Sequence, residues 1–254
     1  MNLRYISAKL LPPAIAWRLD KQRRERDEVE KFVLMYAHFL SPGDLCFDIG
    51  ANLGNRVSAF RSLGCRVVAV EPQPDCFKKL SAKFGTDTGV ELIRMAVTAE
   101  PGEIDLRISP DHVLSTTTPV FISTTQSSGR FAEAVWDRVL RVGTTTLDKM
   151  IDQHGMPAFV KIDVEGGEPQ VLAGLSRPVP ALSIEWVPEL PRHALDCIDK
   201  LETLASYEYD ISWAETMRFS ARGWRDADAM RHLIEEFAGE TFVFGDIYAR
   251  LRTP

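Results

Sequence analysis

The sequence predicts an α/β fold with a mostly parallel sheet, on three observations. Segments with strand and helix patterns alternate almost from end to end of the 254 residues, the arrangement that packs helices on both faces of a sheet. The strand segments are short and largely apolar, Leu45–Ile49 and Arg66–Val70 foremost, as expected where both faces are covered. Between these two lie a glycine turn and a helical stretch, and an acid, Glu71, closes the second. Strand, glycine turn, helix, strand, acid is the order of a nucleoside-binding unit, with the acid where a ribose diol is held.

The turn narrows the choice of nucleoside. It reads Asp48-Ile49-Gly50-Ala51-Asn52-Leu53-Gly54, with two glycines where a dinucleotide fingerprint has three. Its carboxylate would repel a pyrophosphate, whereas the cationic end of S-adenosylmethionine suits it. Glycines here let a ligand approach the backbone, and the helix that follows offers unpaired N–H groups. Glycines kept for packing alone are the alternative, and the spacing of Asp48 and Glu71 argues against it.

With 45% hydrophobic residues the chain can bury a substantial core, expected as a helical extension over residues 1–43 and one domain over 44–254. A net charge of −6 argues against a general nucleic-acid binder. Cys46, Cys65, Cys76 and Cys197 have neither C-x-x-C nor zinc spacing, which predicts buried thiols in a reducing compartment without a disulfide or structural metal. Arg4, Lys9 and Pro12-Pro13 interrupt any apolar leader, and no run is long enough to span a bilayer, so a cytoplasmic protein is expected. Ile6, Leu10, Leu11, Ile15 and Trp17 are expected in a flap packed on the domain, with contact to a membrane surface as the alternative.

In chain order, a charge-laced helix over 18–31 runs into an apolar stripe, Val29, Phe32, Val33, Tyr36 and Leu40, which predicts a cap on one edge of the sheet. After Glu71, Pro72-Gln73-Pro74 starts a helix with Phe77, Leu80 and Phe84 on one face. Residues 90–97 read as a third strand and 103–108 as an alternating, half-exposed one. Residues 109–130 are rich in Ser and Thr with little periodicity, and a long polar loop in a compact domain is a functional lid or a disordered insertion, with the lid as the favoured reading; His112 lies in it. A short strand over 139–142 follows, then a helix to His154 opened by a Thr145-x-x-Asp148 capping box. Residues 159–164 read as a strand, and Pro169 begins a helix with Val171, Leu172 and Leu175 inward. Ala181–Trp186 is a strand, Leu195, Ile198, Leu201 and Leu204 share a helical face, and Tyr207–Trp213 and 242–251 are the last strands around a helix near 229–238.

Six segments, FDIGANLG, AVEPQPD, ELIRMAV, VGTTTLDKM, FVKIDVEGGEPQVLAGL and ALSIEW, together resemble the FkbM family of S-adenosylmethionine-dependent methyltransferases. The resemblance covers 45–186, and KIDVEG is its most specific part. It implies a seven-stranded Rossmann-like sheet with cofactor at the carboxyl edge of the strands, and O-methylation of hydroxyls, often on sugars or polyketide-derived products. Carried over, Asp48, Gly50, Asn52 and Gly54 would line the methionine and ribose side of the cofactor. Glu71 would hold the ribose hydroxyls, Pro72 and Gln73 would lie beside the adenine, and Ala96 and Val97 would pass under the ring. The departures are Asn55-Arg56 after the last glycine and the length of the Ser/Thr segment.

Lys161, Asp163 and Glu165 are the candidate catalytic row, since alternate residues of an extended strand share a face. Asp163 or Glu165 would take the proton of an acceptor hydroxyl. The structural alternative is a buried Lys161–Asp163 pair with Glu165 capping the next helix. Glu185 could complete a metal site, but three carboxylates without a histidine make no metal the expectation. The expected activity is O-methylation of a saccharide or related small molecule, with no nucleic acid and no membrane insertion. An N-methyltransferase and a non-catalytic nucleoside-binding module are the alternatives, and the two-glycine turn argues against a nicotinamide-dependent oxidoreductase.

Overall fold

A computed structural model describes residues 13–241 and 243–252. Helix α1 (Pro13–Tyr36) leads into β1 (Leu45–Ile49), α2 (Asn55–Ser62), β2 (Arg66–Val70), α3 (Pro74–Phe84) and β3 (Val90–Ile93). Then come β4 (Ala96–Val97), β5 (Gly102–Ile108), α4 (Pro119–Ser127) and β6 (Arg138–Thr145). The chain continues through α5 (Leu147–His154), β7 (Phe159–Ile162), α6 (Glu168–Ala173), β8 (Ala181–Trp186), α7 (Pro191–Leu204), β9 (Tyr207–Trp213), α8 (Ala227–Glu236) and β10 (Gly245–Leu251).

The seven-stranded sheet runs β3-β2-β1-β7-β8-β10-β9. All its pairs are parallel except those of β10, which runs antiparallel to β8 and β9. From β1 the chain builds outward through β2 and β3, then returns to lay β7 on the other side of β1. That reversal opens a crevice at the carboxyl ends of β1 and β7, the usual ligand position in such sheets. This is the Rossmann-like architecture with helices on both faces.

Strand alternation divides the core between the two faces. Phe47, Ile49, Val160 and Ile162 join one apolar cluster with residues of α5 to α8. Cys46 and Phe159 join another with Phe32, Met35 and Tyr36 of α1, Val57 and Phe60 of α2, and Leu80 of α3. Helix α1 therefore lies across the middle of its face, not at an edge. The Tyr36 ring is 5.3 Å from Phe159, and Phe39, just beyond α1, stacks on Tyr248 of β10 at 5.8 Å, because its aromatic stripe buries most area over the central strands. Ile6, Leu10 and Leu11 lie outside the described residues, as do the side chains of Ile15 and Trp17.

Several expected elements are corrected. The run 90–97 is shared by two sheets: β3 pairs with β2, and after Arg94-Met95 strand β4 pairs with β6 in a three-stranded sheet β4-β6-β5. Within 109–130 there is a 3₁₀ turn, His112–Leu114, as well as α4, with Phe121 and Thr125 buried. The Ser/Thr content disguised that helix because its hydroxyls bond back to the preceding turn: Thr125 Oγ1 donates to the Phe121 carbonyl at 2.7 Å and Ser127 Oγ to that of Ser123 at 2.7 Å. Helix α5 is capped by Thr146, not Thr145; its Oγ1 accepts from Lys149 N at 3.2 Å. Strand β7 stops at Ile162. The last strand begins at Gly245, and Phe242 lies outside the described residues. No helix among the described residues is long and apolar enough to cross a membrane.

Candidate active site

A cavity of about 270 Å³ opens at the carboxyl ends of β1, β2 and β7. Gly50, Asn52, Glu71, Pro72, Gln73, Ala96, Val97, Lys161, Asp163 and Glu165 line it, whereas Asp48 and Gly54 do not. Both glycines have packing reasons of their own. At Gly50, φ is +83° and a Cβ would stand 1.8 Å from the Asp163 carbonyl oxygen; at Gly54, φ is +79° and a Cβ would meet the Phe84 ring at 2.4 Å. The left-handed turn and the close approach of β1 to the end of β7 thus demand glycine before any ligand is considered.

Glu71 organises one end of the cavity. Its Oε2 accepts from Asn52 N at 2.8 Å and its Oε1 from Gln73 N at 2.7 Å. The carboxyl is 2% exposed, and burial pushes it up to about 7 against the opposing effect of those two N–H groups. The Gln73 and Asn52 side-chain amides both donate to the His112 carbonyl, at 2.9 and 3.4 Å. The 3₁₀ turn of the 109–130 segment is thereby tied to the turn after β1.

The charged row is assembled by a turn, not by strand alternation. Lys161 is 1% exposed and ion-paired with Asp163, but Glu165 has φ +54°, so the chain past Ile162 is not extended. Glu165 still comes to the row, its carbonyl accepting from Thr116 Oγ1 at 2.7 Å. Carboxylate oxygens of Asp163, Glu165 and Glu185 all lie within 4.8 Å of one another. Burial raises Asp163, and the Lys161 ammonium more than offsets it, so the group is held below the usual carboxylate range. Burial and then the Asp163 charge push Glu165 and Glu185 well above that range. Such a trio is relieved either by shared protons or by a cation. The helix-capping role considered for Glu165 is filled by no side chain: α6 starts after Gly167 without a side-chain cap, and Glu168 Oε1 instead ties the preceding turn, accepting from Val164 N at 3.0 Å and Gly166 N at 3.3 Å.

Asp48 lies behind the cavity wall, in register with Lys161 across β1 and β7. It is fully buried and neither oxygen has a hydrogen-bond partner. Burial pushes it up to about 6, while Lys161 and Arg56 pull it down. The cavity also takes Arg56 from α2, His112 and Thr117 from the 109–130 segment, and Glu215 from the loop after β9. Arg56 and His112 were visible in the sequence as a departure and a loop histidine; Glu215 had no local signal.

A family model described as the methyltransferase FkbM domain matches residues 48–236. The hexuronic acid methyltransferase AglP of Haloferax volcanii is 27% identical over 163 residues, which cover 63% of this chain and 60% of that protein. The chain thus matches less than two thirds of that curated relative's length. Among solved structures, an O-methyltransferase from Bacillus cereus in complex with SAH is similar at a TM-score of 0.45 and 12% identity, over 89% of this chain and 81% of that one. The precorrin-6y C5,15-methyltransferase of Geobacter metallireducens is similar at a TM-score of 0.45 and 11% identity, over 91% and 89%.

Proposed function

The chain belongs to the family of FkbM-domain methyltransferases, and on that premise we propose that it transfers a methyl group from S-adenosylmethionine to an oxygen of a saccharide or related small molecule. One observation carries the reading: a single cavity at the sheet's reversal point joins the Glu71 end to the Lys161, Asp163 and Glu165 end. A nucleoside and an acceptor group can therefore share one enclosure.

The residues fit the cofactor. Glu71 spends one lone pair of each oxygen on a backbone N–H, and the remaining lone pairs are those a ribose diol would use, as charge-assisted hydrogen bonds. Gly50 and Asn52 would lie along the methionine and ribose, Pro72 and Gln73 beside the adenine, and Ala96 and Val97 beneath it. Asp48 and Gly54 act from outside the wall by holding charge and backbone in place. When bound, the cofactor supplies a methyl carbon already activated by its sulfonium.

The protein's own part is to position the acceptor and move its proton. Lys161 holds Asp163 ionised, so Asp163 can accept the acceptor hydroxyl as a hydrogen-bond donor and orient it. Asp163 takes that proton as the methyl arrives, a general-base role typically worth about 10²–10⁴-fold, while Glu165, pushed well above its ordinary range by burial and the Asp163 charge, serves beside it as a hydrogen-bond donor. Proximity in an enclosed site supplies about 7–11 kcal/mol in favourable cases. The hexuronic acid in the relative's name supports a saccharide acceptor. Incubation with S-adenosylmethionine and a glycan panel, followed by mass spectrometry, tests the proposal. A mass gain of one methylene on a saccharide is expected; methylation confined to amines would refute the oxygen assignment.

A further inference from the structure

Arg56 enters the cavity from the first turn of α2, and the protein leaves most of its hydrogen-bonding capacity unused. Its guanidinium lies over the Phe32 ring at 3.7 Å. Nη2 donates to Glu215 Oε2 at 3.2 Å, and Nε is buried without an acceptor. The Arg56 side chain is 14% exposed while that of Glu215, on the loop after β9, is 64% exposed. Lys161 faces the same cavity but is paired with Asp163 and its side chain is only 2% exposed, so Arg56 is the more accessible of these two cations.

An exposed glutamate holding a guanidinium through one oxygen is a weak contact. A carboxylate that meets the guanidinium with both oxygens makes the stronger, shape-matched pair. We infer that Arg56 is a receptor for a ligand carboxylate, and that Glu215 is an internal occupant which the ligand displaces. The inference rests on the methyltransferase reading, which brings two carboxylates to this cavity: the amino-acid end of the cofactor and the acid group of a uronic acceptor. Both offer Arg56 the same chemistry.

Calorimetry on the full chain separates them. The probes are S-adenosylhomocysteine against 5′-methylthioadenosine, which lacks the amino-acid end, and D-glucuronate against D-glucose on protein saturated with S-adenosylhomocysteine. Arg56→Gln should weaken the carboxylate-bearing probe of one pair by about tenfold or more while sparing its neutral counterpart, and Glu215→Gln should tighten that same probe by about threefold or more. An effect on the first pair assigns the site to the cofactor, and an effect on the second assigns it to the acceptor. Equal changes within each pair, or none, would overturn the inference. Glu215→Gln keeps the test valid if Arg56→Gln fails to fold, because Glu215 is largely exposed. Wild-type protein that does not bind S-adenosylhomocysteine at all would instead overturn the methyltransferase reading, and this inference with it.

Discussion

Glu71→Ala is expected to lower stability and cofactor affinity together, with sizes that follow from the contacts of one carboxylate. Both oxygens hold backbone N–H groups, of Asn52 at 2.8 Å and Gln73 at 2.7 Å, in a side chain that is 2% exposed. Truncation strands two buried donors at about 1–3 kcal/mol each, so about 2–6 kcal/mol in all. The pH dependence has a definite sign. With its pKa raised from 4.5 to about 7, native Glu71 keeps a proton that the unfolded chain has already lost, so its contribution to stability is full below about pH 4.5 and falls as pH rises to about 7. That displacement corresponds to about 3 kcal/mol, and the difference between wild type and variant should narrow accordingly from pH 5 to pH 8. The form that holds a ribose diol is the ionised one, so wild-type affinity for S-adenosylhomocysteine should climb from pH 6 to about 7 and then level. The variant should bind about 10- to 100-fold more weakly, from the loss of charge-assisted hydrogen bonds of about 1.5–3 kcal/mol, and without that pH dependence. Urea unfolding at pH 5 and pH 8, with calorimetry across the same range, measures both. An unchanged unfolding midpoint at pH 5 would refute the structural role, and unchanged affinity would refute the ribose assignment.

Asp163→Asn and Glu165→Gln should retain cofactor binding while at least one lowers turnover by about two decades; single-turnover kinetics decides, and unchanged rates in both would return the row to a structural role. Asp163→Asn should also destabilise the fold, toward the lower end of about 3–5 kcal/mol because Asp163 is partly exposed, since it leaves Lys161 buried without its partner. Gly50→Ala should lose more than about 3 kcal/mol, beyond the common range for a point mutation, because its Cβ would stand 1.8 Å from the Asp163 carbonyl oxygen; a soluble variant with wild-type unfolding would contradict the β1–β7 contact. Limited proteolysis within 109–130 should slow when S-adenosylhomocysteine and an acceptor are both present, as a closing lid requires, and indifference to ligands would make the segment a fixed wall. If shared protons relieve Asp163, Glu165 and Glu185, dialysis against EDTA should leave turnover intact, whereas loss restored by magnesium would assign the trio to a cation.

What the sequence determined by itself is the fold class and the unit of strand, glycine turn, helix, strand and acid. Leu45–Ile49, the glycine turn, the helix and Arg66–Val70 were legible because each element is specified by neighbours within one local period of apolar burial, and Glu71 stands at the end of such a run. Lys161 and Asp163 were legible for a related reason: charges inside a strand expected to be apolar announce themselves. The tertiary structure alone decided how those parts meet. It divided 90–97 between two sheets, because an apolar run carries no label for the edge it joins. It brought Glu165 to Asp163 and Glu185 through a left-handed turn, where a continued strand had been expected. It gave Glu71 two backbone donors and placed Glu215 against Arg56 across 159 positions of chain. Periodicity reports which face of an element is buried; which distant element covers that face is settled by packing and by the need of each buried polar group for a partner.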